Sequence, residues 1–176
     1  SGITFRAQES AFFFFFIAGK STKTNKVGFV GGMVCGIIDQ FEYGYKAGVD
    51  YAAKEMGKKI PVVSRYAESF TDAAKGKAIA SAMYSDGCDI IFHAAGPVGE
   101  GIFAIAKESG KFAIGVDRDQ SYLAPDNILT SALKLVGNAV EILCNEAIDG
   151  KAIGGKNYNY GLKEGCVAIP DFNKNL

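Results

Sequence analysis

Short apolar runs alternate with helical spacings of apolar residues from residue 27 onward. Such runs, bounded by Gly, Pro or polar positions, are typical of buried strands, and they predict strands at 27–30, 61–63, 88–92, 112–116 and 128–130. Strands separated by helices at intervals of about 30 residues indicate βαβ units with right-handed crossovers. Because the strands are almost entirely apolar, helices should cover both faces of the sheet. The pattern therefore predicts an α/β fold, a doubly wound parallel sheet in three αβα layers.

The helical spacings also predict which helix faces are buried. Thr71 is placed to cap the helix that follows the second strand, and Gly150 ends the last strong helix. The buried stripe of the first helix in this region should consist of Ile37, Phe41, Tyr45 and Val49. The stripe of the last helix should consist of Val136, Ala139, Val140, Leu143 and Ala147. A short apolar run at 166–169 predicts one further strand in the tail.

The composition is that of a soluble globular protein. The chain has 176 residues, 48% apolar and 22% charged, within the roughly 100–200 residues expected of one domain. Its longest apolar run, at 11–18, contains five consecutive phenylalanines. That run is shorter than the about 20 residues of a membrane span, so it predicts a buried helix. Nineteen basic and nineteen acidic residues balance, which argues against nucleic-acid-binding and polybasic membrane surfaces.

Cysteine and histidine usage argues against a metal site. The single histidine excludes His-rich metal sites, and the cysteines form no C-x-x-C pair. Each cysteine lies beside apolar residues, which favours buried free thiols over disulfides or a nucleophile. The four cysteines are Cys35, Cys88, Cys144 and Cys166. We expect no metal and no cofactor.

Ligands of open parallel sheets bind outside the carboxyl ends of the strands. Applied to the predicted strands, this rule selects five segments that should converge at one edge of the sheet: 31–33, 68–70, 94–99, 117–120 and 131–134. The third segment continues into a Gly-rich turn at 96–101. That turn either permits tight packing or lets a ligand approach backbone N–H groups.

Several side chains in or near these segments suit ligand recognition, each with a plainer alternative. Asp117 can accept two hydrogen bonds from a vicinal diol, or it begins a turn and pairs with Arg118. Lys134 either donates to ligand oxygens or is a solvated lysine in the first turn of the next helix. Phe70 lies in a loop where its face can stack on a base, although Phe41 and Phe70 are core residues by default.

The same segments do not supply an evident set of catalytic residues. His93 directly follows a strand and should be satisfied by local hydrogen bonds rather than act catalytically. The general bases on offer are His93, Asp117 and Asp119, and they form no set of nucleophile, base and orienting group. The residues therefore predict a site that recognises a ligand and leaves it intact.

Eight motifs follow one another along almost the whole chain: AQESAF at 7–12, TKTNKVGFVGG at 22–32, FEYGYKAGV at 41–49, SFTD at 69–72, DIIFHAAG at 89–96, IGVDRDQ at 114–120, LTS at 129–131 with Lys134, and GLKEG at 161–165. In this order they resemble the basic membrane protein (BMP) lipoprotein family. The resemblance is to purine nucleoside receptors, which are substrate-binding lipoproteins that deliver nucleosides to ABC importers.

The resemblance implies a periplasmic-binding-protein type I-like lobe, one of two α/β lobes hinged around a ligand. It implies that Phe70 and Phe41 sandwich the base. It also implies that Asp117 contacts the ribose hydroxyls and that Lys134 reaches the sugar. The backbone at Gly96 would complete this half of the site.

Organisation and partners follow from the same resemblance. Residues 1–26 should form a crossover helix and connector, 27–132 the ligand-binding lobe, and 133–176 a return helix and tail toward an N-terminal lobe expected outside this chain. We expect a nucleoside ligand, an ABC permease in the membrane and no nucleic-acid partner. The full-length protein should be lipid-anchored at the cell surface or in the periplasm. The alternatives are the effector-sensing domain of a transcription regulator or a nucleoside- or sugar-processing enzyme.

Overall fold

Eight strands and five helices alternate along the chain in a computed structural model, which describes residues 1–171 and 175 without the side chains of residues 13 and 14. The strands are β1 (Gly2–Phe5), β2 (Val27–Gly31), β3 (Val62–Tyr66), β4 (Ile90–Ala94), β5 (Phe112–Asp117), β6 (Ile128–Lys134), β7 (Asn157–Tyr160) and β8 (Val167–Ala168). The helices are α1 (Ala7–Ser21), α2 (Gly36–Glu55), α3 (Ala73–Ser85), α4 (Val98–Ser109) and α5 (Val136–Ile148). A 3₁₀ turn at Ser121–Leu123 precedes β6.

Six strands form one sheet in the order β3-β2-β4-β5-β6-β8. The first five are parallel, and β8 runs antiparallel to the end of β6. This confirms the predicted doubly wound parallel sheet, although β6 continues to Lys134, beyond the predicted strand at 128–130. The strands β1 and β7 pair in a separate two-stranded sheet.

Helices α1 and α2 cover one face of the six-stranded sheet through an aromatic core. The Phe15 ring centroid lies 4.1 Å from that of Tyr45 and 4.7 Å from that of Phe92, and the Phe29 and Phe92 centroids are 5.6 Å apart. All four side chains are closed to solvent. Because close-packed aromatic rings bury large apolar areas, this cluster fixes both helices on the sheet.

The apolar run at 11–18 forms the middle of α1. Ala11, Phe15 and Ala18 are fully buried, as the sequence predicts, whereas the side chains at 13 and 14 lie outside the described part. None of the helices in the described part is both long and apolar enough to cross a membrane.

Two helix details differ from the predictions by one residue. Ile38 is buried on α2, whereas Ile37 is 42% exposed, because the first turn of the helix opens toward the edge of the sheet. Asp72, rather than Thr71, caps α3 and accepts a hydrogen bond from the Lys75 N–H at 3.1 Å. Aspartate and threonine are both favoured N-caps, so sequence alone did not fix which of the two begins the helix.

The prediction of buried free thiols is right for two cysteines and wrong for two. Cys88 and Cys166 are buried, whereas Cys35 and Cys144 are exposed. Cys35 lies in the loop before α2 and Cys144 on an open side of α5. All four are free thiols. Apolar neighbours in sequence do not bury a side chain that a loop or an uncovered helix face presents to solvent.

A second, smaller core joins α5 to the β1–β7 sheet. Its buried members are Ala139, Tyr160 and Cys166, with Ile3, Phe5, Ile142, Leu143 and Tyr158 partly buried around them. The predicted stripe of α5 is wrong at Val136 and Val140, each 47% exposed, and at Ala147, which is exposed as well. The helix buries the face that carries Ala139 and leaves Val136 and Val140 exposed on a different face.

Helices α3 and α4 cover the other face of the six-stranded sheet and touch backbone to backbone. A Cβ on Gly101 of α4 would overlap the carbonyl oxygen of Ala73 and lie 2.6 Å from the amide nitrogen of Lys77. Contacts under 3.0 Å require the neighbour to move, and here the neighbour is helix backbone. The glycine is therefore required by the helix–helix distance.

His93 lies at the end of β4 beneath α4. Its ring is fully buried and stands edge-on to Phe103 at 5.0 Å between centroids. Burial lowers the pKa of His93 to about 4, a shift that the Gln120 side chain and the Asp117 charge only partly oppose. The imidazole is therefore neutral in the folded protein near neutral pH.

We predict that Gly101→Ala destabilises the protein by several kcal/mol, because α3 and α4 must separate to admit the methyl group. Urea unfolding of both proteins measures this. Gly137→Ala on α5 is the matched control, since a Cβ there meets nothing within 4 Å. It should be neutral or stabilising by up to about 1 kcal/mol. Equal effects of the two substitutions would contradict the backbone contact.

His93 should also make the protein acid-sensitive. Its pKa lies below the unfolded value, so the unfolded chain binds the proton first and stability is lost as pH falls from about 6.5 toward 4. Between pH 7 and pH 4 the wild type should lose about 3 kcal/mol more than His93→Asn. Urea unfolding at both pH values tests this, and an identical pH dependence in the two proteins would refute it.

Candidate functional site

A cavity of about 200 Å³ opens at the carboxyl edge of the six-stranded sheet. All five predicted site residues line it: Phe41, Phe70, Gly96, Asp117 and Lys134. The remaining lining residues are Ile37, Ile38, Ala94, Ala95 and Val116. The structure thus brings together residues from α2, β4, β5, β6 and the loop after β3, and their role in ligand binding stays a prediction.

The two phenylalanines differ in what they offer to the cavity. Phe41 is 4% exposed, and its ring lies 5.9 Å from Phe92 in the core. Phe70 is partly buried in the loop after β3, and a Cβ on Gly32 would overlap its ring. Phe41 therefore forms a wall, whereas Phe70 lies on the rim with part of its ring uncovered.

Gly96 lies where the chain leaves β4. Its φ of 57° falls in the left-handed region, and a Cβ there would lie 3.0 Å from the carbonyl oxygen of Phe70. Glycine adopts this conformation without strain. The bare backbone at Gly96 consequently faces the cavity beside Phe70.

Asp117 and Lys134 form an ion pair at the cavity, with 2.7 Å between Asp117 Oδ1 and Lys134 Nζ. The Asp117 side chain is 52% exposed and that of Lys134 is 24% exposed. Lys134 is the last residue of β6, so the expected position in the first turn of a helix is wrong. The two strand ends place a carboxylate and an ammonium group side by side, open to a ligand.

The alternative pairing of Asp117 with Arg118 is not what the structure shows. The Arg118 guanidinium carbon lies 5.9 Å from the centre of the Tyr122 ring. Asp119 is also occupied, because its carboxylate accepts hydrogen bonds from the Ser121 N–H and Oγ–H, each at 3.0 Å. Of the carboxylates on this loop, Asp117 is the one that lines the cavity.

His93 is held away from the cavity. Its Nε2 lies 3.2 Å from the Oε1 atom of Gln120, and its ring is closed to solvent. A general base must reach the proton that it abstracts. In the part of the chain that the structure describes, the lining of the cavity therefore contains no nucleophile paired with a base. The site can bind a ligand through hydrogen bonds, charge and apolar contact.

Sequence reasoning missed the role of Gln120, although the residue lies in a predicted segment. Its side-chain Oε1 accepts a hydrogen bond from the Val116 N–H at 2.7 Å, and its backbone N–H donates to Ser131 Oγ at 3.0 Å. It thereby ties the loop after β5 to β6. No pattern of spacing marks a glutamine that bonds across a turn.

Two further cavities of the described part differ from the candidate site in position or in lining. A groove of about 410 Å³ lies between β3 and α3, lined by Val63, Arg65, Ala78, Ile79, Ala82, Met83 and Asp86. It is larger, but its walls are mostly apolar and Asp86 is already paired with Lys26. A hollow of about 240 Å³ adjoins the candidate site and shares Gly96 and Asp117 with it. Size alone therefore does not identify the site, and the meeting of strand ends does.

Among solved structures, the chain is similar to a solute-binding protein of an ABC transporter system from Aeropyrum pernix K1. The identity is 32% and the TM-score 0.86, over 96% of this chain and 49% of that one. A transcriptional activator of the comK gene from Bacillus halodurans shows the same fold, with a TM-score of 0.87 at 23% identity over 99% of this chain and 58% of that one. The likeness confirms the type I binding-protein fold.

Curated relatives are more similar in sequence. Basic membrane protein A of Borreliella afzelii is 51% identical over 96% of this chain and 51% of its own length. Basic membrane protein B of Borreliella burgdorferi is 42% identical over 98% of this chain and 50% of its own length. The chain thus spans about half the length of the curated relatives it matches. The family model of PnrA-like ABC transporter substrate-binding proteins (Bmp) matches residues 1–176, and the chain belongs to that family.

Proposed function

We propose that this chain is the ligand-binding lobe of a nucleoside receptor that serves an ABC importer. Membership of the substrate-binding family supports the transport role. The ligand class is inferred from the cavity, where a carboxylate–ammonium pair opens beside two aromatic side chains. That juxtaposition is the observation that carries the proposal.

Each group in the cavity matches one part of a nucleoside. The Asp117 carboxylate accepts two hydrogen bonds from the vicinal hydroxyls of ribose, and Lys134 donates to a sugar oxygen. The uncovered face of Phe70 stacks on a heterocyclic base, for which a purine offers the larger surface. Phe41 walls the base side, and the backbone at Gly96 closes the cavity against the sugar. No bond of the ligand is broken.

The cavity is half of a complete site. Its volume of about 200 Å³ lies below the roughly 300–1,000 Å³ of complete ligand pockets. The small core of α5 and the β1–β7 sheet lies outside the six-stranded sheet and leaves Val136 and Val140 uncovered. We assign this part to the second lobe, which closes over the ligand. Binding then shifts the population from open to closed, the form that the permease recognises.

The setting of the full-length protein follows from its relatives. Basic membrane proteins suggest a lipid-anchored protein on the outer side of the membrane, in contact with an ABC permease. Nucleic acid is not an expected partner, since the net charge is zero. An effector-sensing domain is the second candidate, because a transcriptional activator shares the fold. The coding sequence upstream separates the two, since a lipid-attachment signal supports the receptor and a DNA-binding helix the regulator.

Asp117→Ala in the full-length protein should weaken binding of adenosine, guanosine or inosine more than tenfold, because two hydrogen bonds to the sugar are lost. Calorimetry with each nucleoside and its 2′,3′-dideoxy analogue measures the effect. The wild type should prefer the riboside, and Asp117→Ala should lose that preference. Asp119→Ala is the matched control, since its carboxylate bonds to Ser121. An unchanged Kd in Asp117→Ala would refute the sugar contact.

Phe70→Ala should weaken nucleoside binding roughly tenfold to a hundredfold, from the about 1–3 kcal/mol of one aromatic–base stack. Phe70→Tyr keeps the aromatic face and should bind as the wild type does. Tyr43→Ala removes an aromatic ring that is 69% exposed elsewhere on α2 and should leave Kd unchanged. If Phe70→Ala binds normally while remaining folded by its melting temperature, the base does not stack at this position.

A further inference from the structure

The backbone at Asp117 adopts an unusual turn. Its φ is 68°, and the Arg118 N–H donates to the Val116 carbonyl oxygen at 2.8 Å across it. A three-residue turn with a left-handed central residue is rare and strained, although aspartate tolerates that region better than most residues. Strain of this kind persists where the surroundings fix it, and it clusters at ligand sites.

The turn has a consequence for the direction of the carboxylate. Val116 lies opposite Ala132 in the sheet, and both pack under α1 and α2. Lys134, two residues beyond Ala132, has the same parity along the strand. Asp117 lies one residue beyond Val116, so a regular strand would direct it to the α4 side. The left-handed turn instead allows its Oδ1 to reach Lys134 Nζ at 2.7 Å.

The Gln120 side chain reaches back across this turn to the residue before Asp117. Its Oε1 accepts a hydrogen bond from the Val116 N–H at 2.7 Å, and the backbone N–H of Gln120 donates to Ser131 Oγ at 3.0 Å. Gly115 leaves room for this arrangement, because a Cβ there would lie 2.6 Å from Ser131 Oγ and 2.7 Å from Gln120 Oε1. The side-chain oxygen of Gln120 thus holds the residue before Asp117, while the backbone of Gln120 is held to β6.

His93 completes the arrangement. The Gln120 Oε1 atom is an acceptor, since it receives the Val116 N–H, so the His93 Nε2 that faces it at 3.2 Å carries the hydrogen. This assigns the neutral Nε2–H tautomer from the network. The opposite ring nitrogen, Nδ1, has no hydrogen-bond partner among the described residues. The imidazole therefore directs its one N–H toward the glutamine.

We propose that Gln120, oriented by His93, is a positioning residue that holds Asp117 in its left-handed turn and so aims the carboxylate at the ligand. The inference rests on the proposed nucleoside site and deepens it, since Gln120 acts through Asp117 without touching the sugar. Without the Oε1 acceptor the Val116 N–H loses its partner, and Asp117 relaxes toward the extended strand. The carboxylate then leaves Lys134 and the diol.

Gln120→Met in the full-length protein is the test, with Gln120→Glu as the conservative variant that keeps an oxygen at the same place. Crystal structures read the φ of residue 117, and calorimetry with adenosine, guanosine and inosine reads Kd. We expect a negative φ and at least a tenfold higher Kd in Gln120→Met, and both values near the wild type in Gln120→Glu. Ser131→Ala, a smaller change, should shift both readouts in the same direction if Gln120→Met does not fold.

Asn127→Leu is the matched control. Asn127 also bridges backbone with its amide, donating to Ala106 and Lys111 carbonyl oxygens at 3.2 and 2.8 Å, but at the other end of β5. The Asn127→Leu substitution should lower the melting temperature without changing the φ of residue 117 or the Kd for the nucleosides. An intact turn in Gln120→Met, or a relaxed turn with unchanged Kd, overturns the positioning role. A wild type that binds none of the three nucleosides overturns the proposed function, while the structures still decide whether Gln120 holds the turn.

Discussion

Parallel pairing of β2 with β4 is the constraint on which the rest of the molecule depends. Val30 lies opposite His93 and Gly31 opposite Ala94, so both strands end at one level. With helices on both faces, the strands are mostly apolar, and the charged side chains of the candidate site lie at the strand ends. In a sheet whose strands all point the same way, those ends meet at one edge. The candidate site is the result of that geometry.

The same constraint explains how much of the fold and of the candidate site could be predicted from the sequence. Alternation between apolar runs and helical spacings predicts the fold. Of the five segments predicted at the edge of the sheet, four contribute residues to the cavity, whereas none of residues 31–33 lines it. Phe70, Asp117 and Lys134 were selected because they follow strands, and the structure places all three around one cavity. Their interaction with a ligand is a matter of chemistry that the chain alone does not demonstrate.

What could not be predicted depends on contacts distant in sequence. Cys144 has apolar neighbours in the chain, yet it is exposed because nothing in the described part covers that side of α5. The expectation that Lys134 lies in a helix was wrong, because pairing with β5 and β8 extends β6 as far as this residue. Gln120 forms hydrogen bonds with His93 and Ser131, which lie 27 and 11 residues away in the chain. Periodicity describes one element at a time and does not contain such pairings.

The glycine contact between α3 and α4 limits how this lobe deforms. Sliding of packed helices relies on side chains that change rotamer between them, and at Gly101 the two helix backbones meet with no side chain in between. This helix layer consequently resists sliding of α3 against α4. In the closure proposed above, the displacement of one lobe against the other therefore falls to the connecting segments rather than to this helix layer.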